Sequence, residues 1–131
     1  MTTRILSGIR PTGHIHLGNY LGMIHSSLDI LSKIDERFFC VVDQHALTSV
    51  EDAKDLHRNT LTVAAAYIAS GIEPVKNHIF VQSHVPYHTE LAWYFNCITT
   101  MSYLERATAY KDANQKAKEV TVGLFDYPLL M

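Results

Sequence analysis

Charge of one sign is in short supply: 11 Lys and Arg stand against 13 Asp and Glu, a net charge of −2. Such a balance lacks the basic surface that grips nucleic acid by neutralising phosphates, so an RNA partner has to be argued from something other than charge. Cysteine is scarce as well, and the two present stand far apart: Cys40 inside an apolar run, Cys97 inside a helical pattern. Neither has the spacing of a metal ligand, and both read as buried thiols of a reducing compartment. No apolar run is long enough for a secretory signal or a membrane span, which makes the cytoplasm the expected location. Repeats, low-complexity tracts and Gly/Ser linkers are missing too, so no internal boundary is expected within residues 1–131. Disorder is excluded, since no stretch joins low hydrophobicity to a strong charge excess.

What is present is the material of a globular core: 47% of the 131 residues are hydrophobic and 18% charged, enough for one domain or part of one. Short apolar runs alternate with helical ones. Arg4–Ser7 is a strand candidate running into a Gly- and Pro-rich loop from Gly8 to Gly13. Gly18–Lys33 carries Leu21, Ile24, Leu28 and Leu31 at the spacing of one helix face. Phe38–Val42 is a continuous apolar run, the mark of a strand covered on both faces. Glu51–Ser70 predicts a helix with Leu56, Thr60, Val63, Tyr67 and Ile68 inward and Gly71 as its stop. His78–Gln82 is the third strand, Pro86 stands where the next helix begins, and Leu91, Phe95 and Ile98 mark its inner stripe. Residues 105–120 are charged and Ala-rich, as in an exposed helix, and Val122–Met131 reads by pattern as core helix. Strand and helix repeated three times predict an α/β fold: the first half of a Rossmann-like doubly wound parallel sheet, three strands with crossover helices, followed by further helices. Such a half would leave the far side of the first strand without a neighbour, and on pattern the chain is expected to be unfinished.

In that architecture ligands bind beyond the carboxyl ends of the strands, which directs attention to Ser7–Tyr20. A helix opening there offers N–H groups and a partial positive charge to phosphate. Gly18 lets a ligand approach the backbone, His16 and Asn19 can donate hydrogen bonds, and Arg10 and Thr12 can reach phosphate oxygens. The structural alternative is a glycine-rich turn with an N-cap. The glycines at 8, 13 and 18 are too widely spaced for a dinucleotide fingerprint, and no Gly-Lys-Ser/Thr makes a P-loop. Asp43 and His45 follow the second strand and are expected at the same edge, with a polar turn as the alternative. Of the eight histidines, His14/His16 and His84/His88 are paired by spacing, yet no acidic or cysteine partners complete a metal site. Lys111, Lys116 and Lys118, interleaved with Asp112 and Glu119, read as a solvated helix face.

His16-Leu17-Gly18-Asn19 resembles the "HIGH" signature of class I aminoacyl-tRNA synthetases in a variant ending in Asn. Ser7 to Gly13, Val42 to Ala46, Gln82 to Pro86 and Gly123 to Met131 resemble the tryptophanyl branch of that family. The likeness runs over essentially the whole chain. It implies catalytic roles for His16, Asn19 and Thr12, and ATP binding by Arg10, Pro11, Thr12, His16, Gly18, Asn19 and Lys111. A tryptophan pocket is implied at Gly8, Val42, His45, Tyr127 and Met131. Also implied are ATP with Mg²⁺ bound to it, L-tryptophan and tRNA(Trp) as substrates, and a homodimer, with no protein-held metal and no membrane. Two positions depart from the pattern: Arg10 stands where some relatives have Gln, and Ala113 where the family has a lysine after Tyr110-Lys111-Asp112. No Lys-Met-Ser-Lys-Ser occurs in these residues, so the resemblance implies the N-terminal part of a longer ligase. The alternative from another class is a non-catalytic half-Rossmann module that binds a nucleotide or a protein.

Overall fold

The computed structural model describes residues 2–30, 33–115 and 119–131. The chain forms two compact units, residues 1–84 and 85–131.

The first unit is built on a parallel sheet of three strands in the order β1 (Arg4–Ile9), β2 (Glu36–Val41), β3 (His78–Val81). The register sets Ile9 against Val41 and Val41 against Val81, so all three strands end in one row. That row defines the carboxyl edge. β1 runs two residues further than Arg4–Ser7, taking Gly8 and Ile9 out of the expected loop.

Between β1 and β2 a helical segment opens as α1 (Leu17–Asn19), widens into a π-helical stretch (Tyr20–His25) and closes as α2 (Ser26–Ile30). The wide turn shifts the helical phase. Ile24 is fully buried, whereas Leu21, expected on the same face, is half exposed. Leu31 and Ser32 lie outside the described residues. After β2, α3 (Asp43–Ala46) leads to α4 (Ala53–Ala69). Asp52 caps α4 by accepting from the N–H of Lys54 (2.8 Å) and Asp55 (2.9 Å). The far end closes with the Gly71 N–H on the Ile68 carbonyl (3.0 Å) and the Ile72 N–H on the Tyr67 carbonyl (3.1 Å). Gly71 takes φ +96°, the left-handed geometry this reversal requires. Tyr67 and Ile72 are both fully buried, so the cap closes on an apolar contact.

The core lies where Ile24 and α4's Val63 and Tyr67 meet Ile9, Phe39 and Val41 of the sheet. The Tyr67 hydroxyl donates to the Cys40 carbonyl at 3.0 Å, tying α4 to β2 from within the core. Ile68, expected inward, is mostly exposed, since it sits about 100° round the helix from Tyr67.

The second unit is helical: α5 (Tyr87–Ile98), α6 (Met101–Leu104), α7 (Thr108–Gln115) and α8 (Val122–Asp126), then a 3₁₀ turn, Tyr127–Leu129. The expected inner stripe of α5 is overturned. Leu91, Phe95 and Ile98 are exposed and α5 buries no side chain, because the elements of its own unit that pack on it, such as the turn Tyr127–Leu129, are too short to cover it. Cys97, expected buried, is exposed for the same reason, while Cys40 is buried. Val122–Met131 is not one core helix: Pro128 enters at the tight turn, and the segment is only half buried. The Tyr110 and Phe125 rings meet edge to face at 4.9 Å and pack α7 on α8. Lys116 and Lys118 lie outside the described residues.

Candidate functional site

At the carboxyl edge of the first unit an open cleft of about 580 Å³ is lined by Gly8, Ile9, Arg10, Thr12, Gly18, Asn19, Gly22, Met23 and Ser49. Four expected nucleotide contacts therefore come together: Arg10, Thr12, Gly18 and Asn19. Gly8, expected in the amino-acid pocket, shares their cleft.

The start of the first helix shows how its polar groups are aimed. His16 Nδ1 accepts the Gly18 N–H at 3.1 Å, and Asn19 Oδ1 accepts the His16 N–H at 3.1 Å, a reciprocal cap. Two backbone donors expected to face phosphate are thus already satisfied from within. In exchange, each side chain is oriented. With Nδ1 accepting, the neutral imidazole carries its proton on Nε2, and with Oδ1 accepting, the Asn19 amide has its NH₂ left to give. The turn presents donors, as an anion requires. Gly18 serves this arrangement, since a Cβ there would come within 3.0 Å of the His16 ring.

Arg10 sits at the cleft with its Nη2 donating to Thr48 Oγ1 (3.0 Å) and Ser49 Oγ (2.5 Å). Pro11 is fully buried behind it. The cleft's lining does not include the other expected residues of this unit. Val42 precedes α3, with its Cγ1 3.0 Å from where a Gly8 Cβ would stand. His45 is buried in α3, its Nδ1 2.9 Å from Gln82 Oε1. Asp43 is a fastener: its Oδ1 accepts from the Gln44 N–H (3.0 Å) and the Ser83 N–H (3.0 Å), joining the ends of β2 and β3. Lys111 is exposed on α7. Tyr127 and Met131 belong to the second unit, where Tyr127 lines a hollow of about 320 Å³ with Tyr103, Leu104, Arg106 and Pro128, and Met131 is exposed.

Sequence reading missed Ile9, Gly22, Met23 and Ser49 as lining residues. Gly22 had a signal, being one helical turn from Gly18; Ser49 had none. Gln82 stands in one of the blocks that resemble the family, and its residue type alone assigns it no role. Burial pushes the Cys40 thiol up to about 12, with the Asp43 carboxylate adding to the effect. Among the described residues no group of three His, Cys, Asp or Glu could hold a metal ion, and no helix is long and apolar enough to cross a membrane.

Comparison with known proteins agrees with this architecture. The family model described as tRNA synthetases class I (W and Y) matches residues 1–131. A protein of Synechocystis sp. named tryptophan–tRNA ligase is 51% identical over 98% of this chain. This chain spans 38% of that relative's length. The crystal structure of tryptophanyl-tRNA synthetase from Campylobacter jejuni superposes with a TM-score of 0.90 at 39% identity, over 99% of this chain and 40% of that one. A second structure of the Campylobacter jejuni protein, complexed with ADP and tryptophan, gives 0.89 at 41% identity, over 98% of this chain and 40% of that one. With three parallel strands, a donor-lined cleft at their carboxyl edge and the family match running from end to end, the chain belongs to the class I tRNA synthetases of the tryptophan and tyrosine branch.

Proposed function

We propose that this chain carries the nucleotide-binding part of a tryptophan–tRNA ligase. Residues 1–131 form the N-terminal portion of its catalytic domain, both compact units included. The reaction is ATP-dependent activation of L-tryptophan to tryptophanyl-adenylate, followed by transfer to tRNA(Trp). The observation that carries the nucleotide reading is the His16–Asn19 reciprocal cap beside the cleft, which leaves donors, not acceptors, for a polyphosphate. The choice of amino acid is supported by the 51% identical relative named tryptophan–tRNA ligase and by the neighbour complexed with ADP and tryptophan.

In this reading the tryptophan carboxylate attacks the α-phosphorus in line and pyrophosphate leaves. Such a displacement needs positioning and charge stabilisation from the protein, and no nucleophile. His16 Nε2–H, the Asn19 amide and the Thr12 hydroxyl supply the hydrogen bonds. Arg10 and Gly18 hold ATP, Lys111 is assigned to it by the family likeness alone, and buried Pro11 fixes the loop that carries Arg10 and Thr12. Gly8, Val42 and His45 stand at the strand ends for the amino acid, and Tyr127 and Met131 are assigned to the indole. Mg²⁺, when bound with ATP, would screen the polyphosphate charge. Among the described residues no group of three His, Cys, Asp or Glu stands ready for the ion, and Mg²⁺ would arrive with ATP.

The cytoplasm is the proposed location, and a homodimer the proposed assembly. The latter is supported by Tyr87, Leu91, Tyr94 and Ile98, exposed at i, i+4, i+7 and i+11 along α5 as one apolar stripe. The test of function is tryptophan-dependent exchange of pyrophosphate into ATP by the protein as its gene encodes it. His16→Ala with Asn19→Ala is expected to lower kcat/KM by about 100-fold or more, as for lost transition-state donors. Wild-type exchange in the double variant would overturn the assignment of the site, and equal exchange with tyrosine would overturn the choice of amino acid.

A further inference from the structure

We propose that Thr48 and Ser49 are positioning residues for Arg10, holding its guanidinium over the cleft as a preformed clamp for the polyphosphate of ATP; this rests on the reading of the cleft given above. The two hydroxyls come from the turn after α3, 38 and 39 residues along the chain from Arg10. Both bond to the same nitrogen, Nη2, at 3.0 and 2.5 Å. A guanidinium has five N–H donors, and two are spent here, so the three on Nη1 and Nε remain for a ligand.

The direction of these bonds is fixed by the turn itself. Thr48 Oγ1 donates its single proton to the His45 carbonyl at 2.9 Å, so toward Arg10 it can only accept. The Ser49 and Val50 N–H groups both reach the carbonyl of fully buried Ala46 at 2.9 Å, which roots the turn in the core. Hydroxyls also suit the task better than a carboxylate. Among the described residues Arg10's hydrogen bonds go to neutral oxygens, so its orientation is fixed while its positive charge is left for the phosphates. An arginine otherwise loses much of its rotamer freedom on binding, and a side chain already held in place loses less.

Ser49 also lines the cleft, so direct contact with the ligand is the rival explanation. A double-mutant cycle on the KM for ATP, measured by tryptophan-dependent pyrophosphate exchange in the protein as its gene encodes it, separates the two. Ser49→Ala and Thr48→Val are each expected to raise that KM about 3- to 10-fold with kcat little changed, the size of a lost hydrogen bond to a charged group. Thr48→Ser, which keeps the oxygen, restores it. In an Arg10→Gln background the same Ser49→Ala change is expected to add less than about twofold, because there is no guanidinium left to place. An undiminished Ser49→Ala effect in that background, or no effect of either single variant, would overturn the positioning role while leaving the ATP site intact. A wild-type protein that binds no ATP would overturn the reading of the cleft and this proposal with it.

Discussion

His45 Nδ1 and Gln82 Oε1 meet at 2.9 Å with both side chains buried, linking the residues that follow β2 to those that follow β3. An amide oxygen only accepts, so the imidazole donates from Nδ1 and keeps Nε2 as its acceptor. The position of the ring at the ligand edge is thus set by a residue 37 positions away.

Replacing Gln82 by Met keeps the volume and removes the acceptor. A buried N–H without its partner costs about 1–3 kcal/mol, so the variant should unfold at lower temperature. Under the proposed function the KM for tryptophan should rise more than kcat falls, since the ring is displaced and no reacting group is lost. Calorimetry and steady-state exchange check the two halves separately. An unchanged melting temperature would mean that the hydrogen bond contributes nothing to the fold.

Gly8 offers a test of the packing behind the cleft. A Cβ at that position would stand 3.0 Å from both the Cys40 carbonyl oxygen and Val42 Cγ1. The carbonyl has little room to retreat, because β2 holds it in the sheet and Tyr67 donates to it at 3.0 Å. Gly8→Ala is therefore expected to destabilise by about 1–3 kcal/mol, the range for overpacking a filled site. Gly123→Ala is the contrast: nothing lies within 4 Å of its Cβ position in α8, and the helix gains about 0.5–1 kcal/mol in propensity. Thermal unfolding of the two variants should move in opposite directions.

Much of the first unit was legible along the chain. The apolar run Phe38 to Val42 announced β2, whose buried end is Phe39 to Val41 and which starts two residues earlier, at the charged pair Glu36 and Arg37, and stops at Val41; α4 announced itself by Val63, Tyr67 and a glycine stop. The cap at His16 was legible only as residue types. Sequence does not say that each side chain is turned by the other's backbone. The π-helical stretch was hidden because it changes phase without changing composition, and Leu21 was misplaced as a result. The α5 stripe was read correctly as a stripe and wrongly as buried. Periodicity identifies an apolar face but not what covers it. The Arg10–Thr48–Ser49 contact left no trace, since no local pattern records a contact made across nearly 40 residues.

The two cysteines should answer differently to an alkylating reagent. Cys97 is exposed on α5, whereas Cys40 is buried in β2 with its thiol pushed from about 9.0 up to about 12, first by burial and then by the charge of Asp43. Only the thiolate reacts, so at pH 8 iodoacetamide should modify Cys97 and spare Cys40 until the protein is unfolded. The same shift gives the chain a stability term with a definite sign. Below pH 9 both folded and unfolded Cys40 hold their proton, and the term is flat. As pH rises from 9 towards 12 the unfolded thiol ionises while the folded one does not, so stability falls across that window. Cys40→Ala should lessen this slope, at the cost of a small cavity on the Gly8 side of β2, and leave the part due to buried Tyr67, whose hydroxyl is likewise pushed up. Mass spectrometry of the native protein decides the first point: alkylation of both cysteines at equal rates would show that Cys40 is not shielded by the sheet, and the alkaline term would go with it.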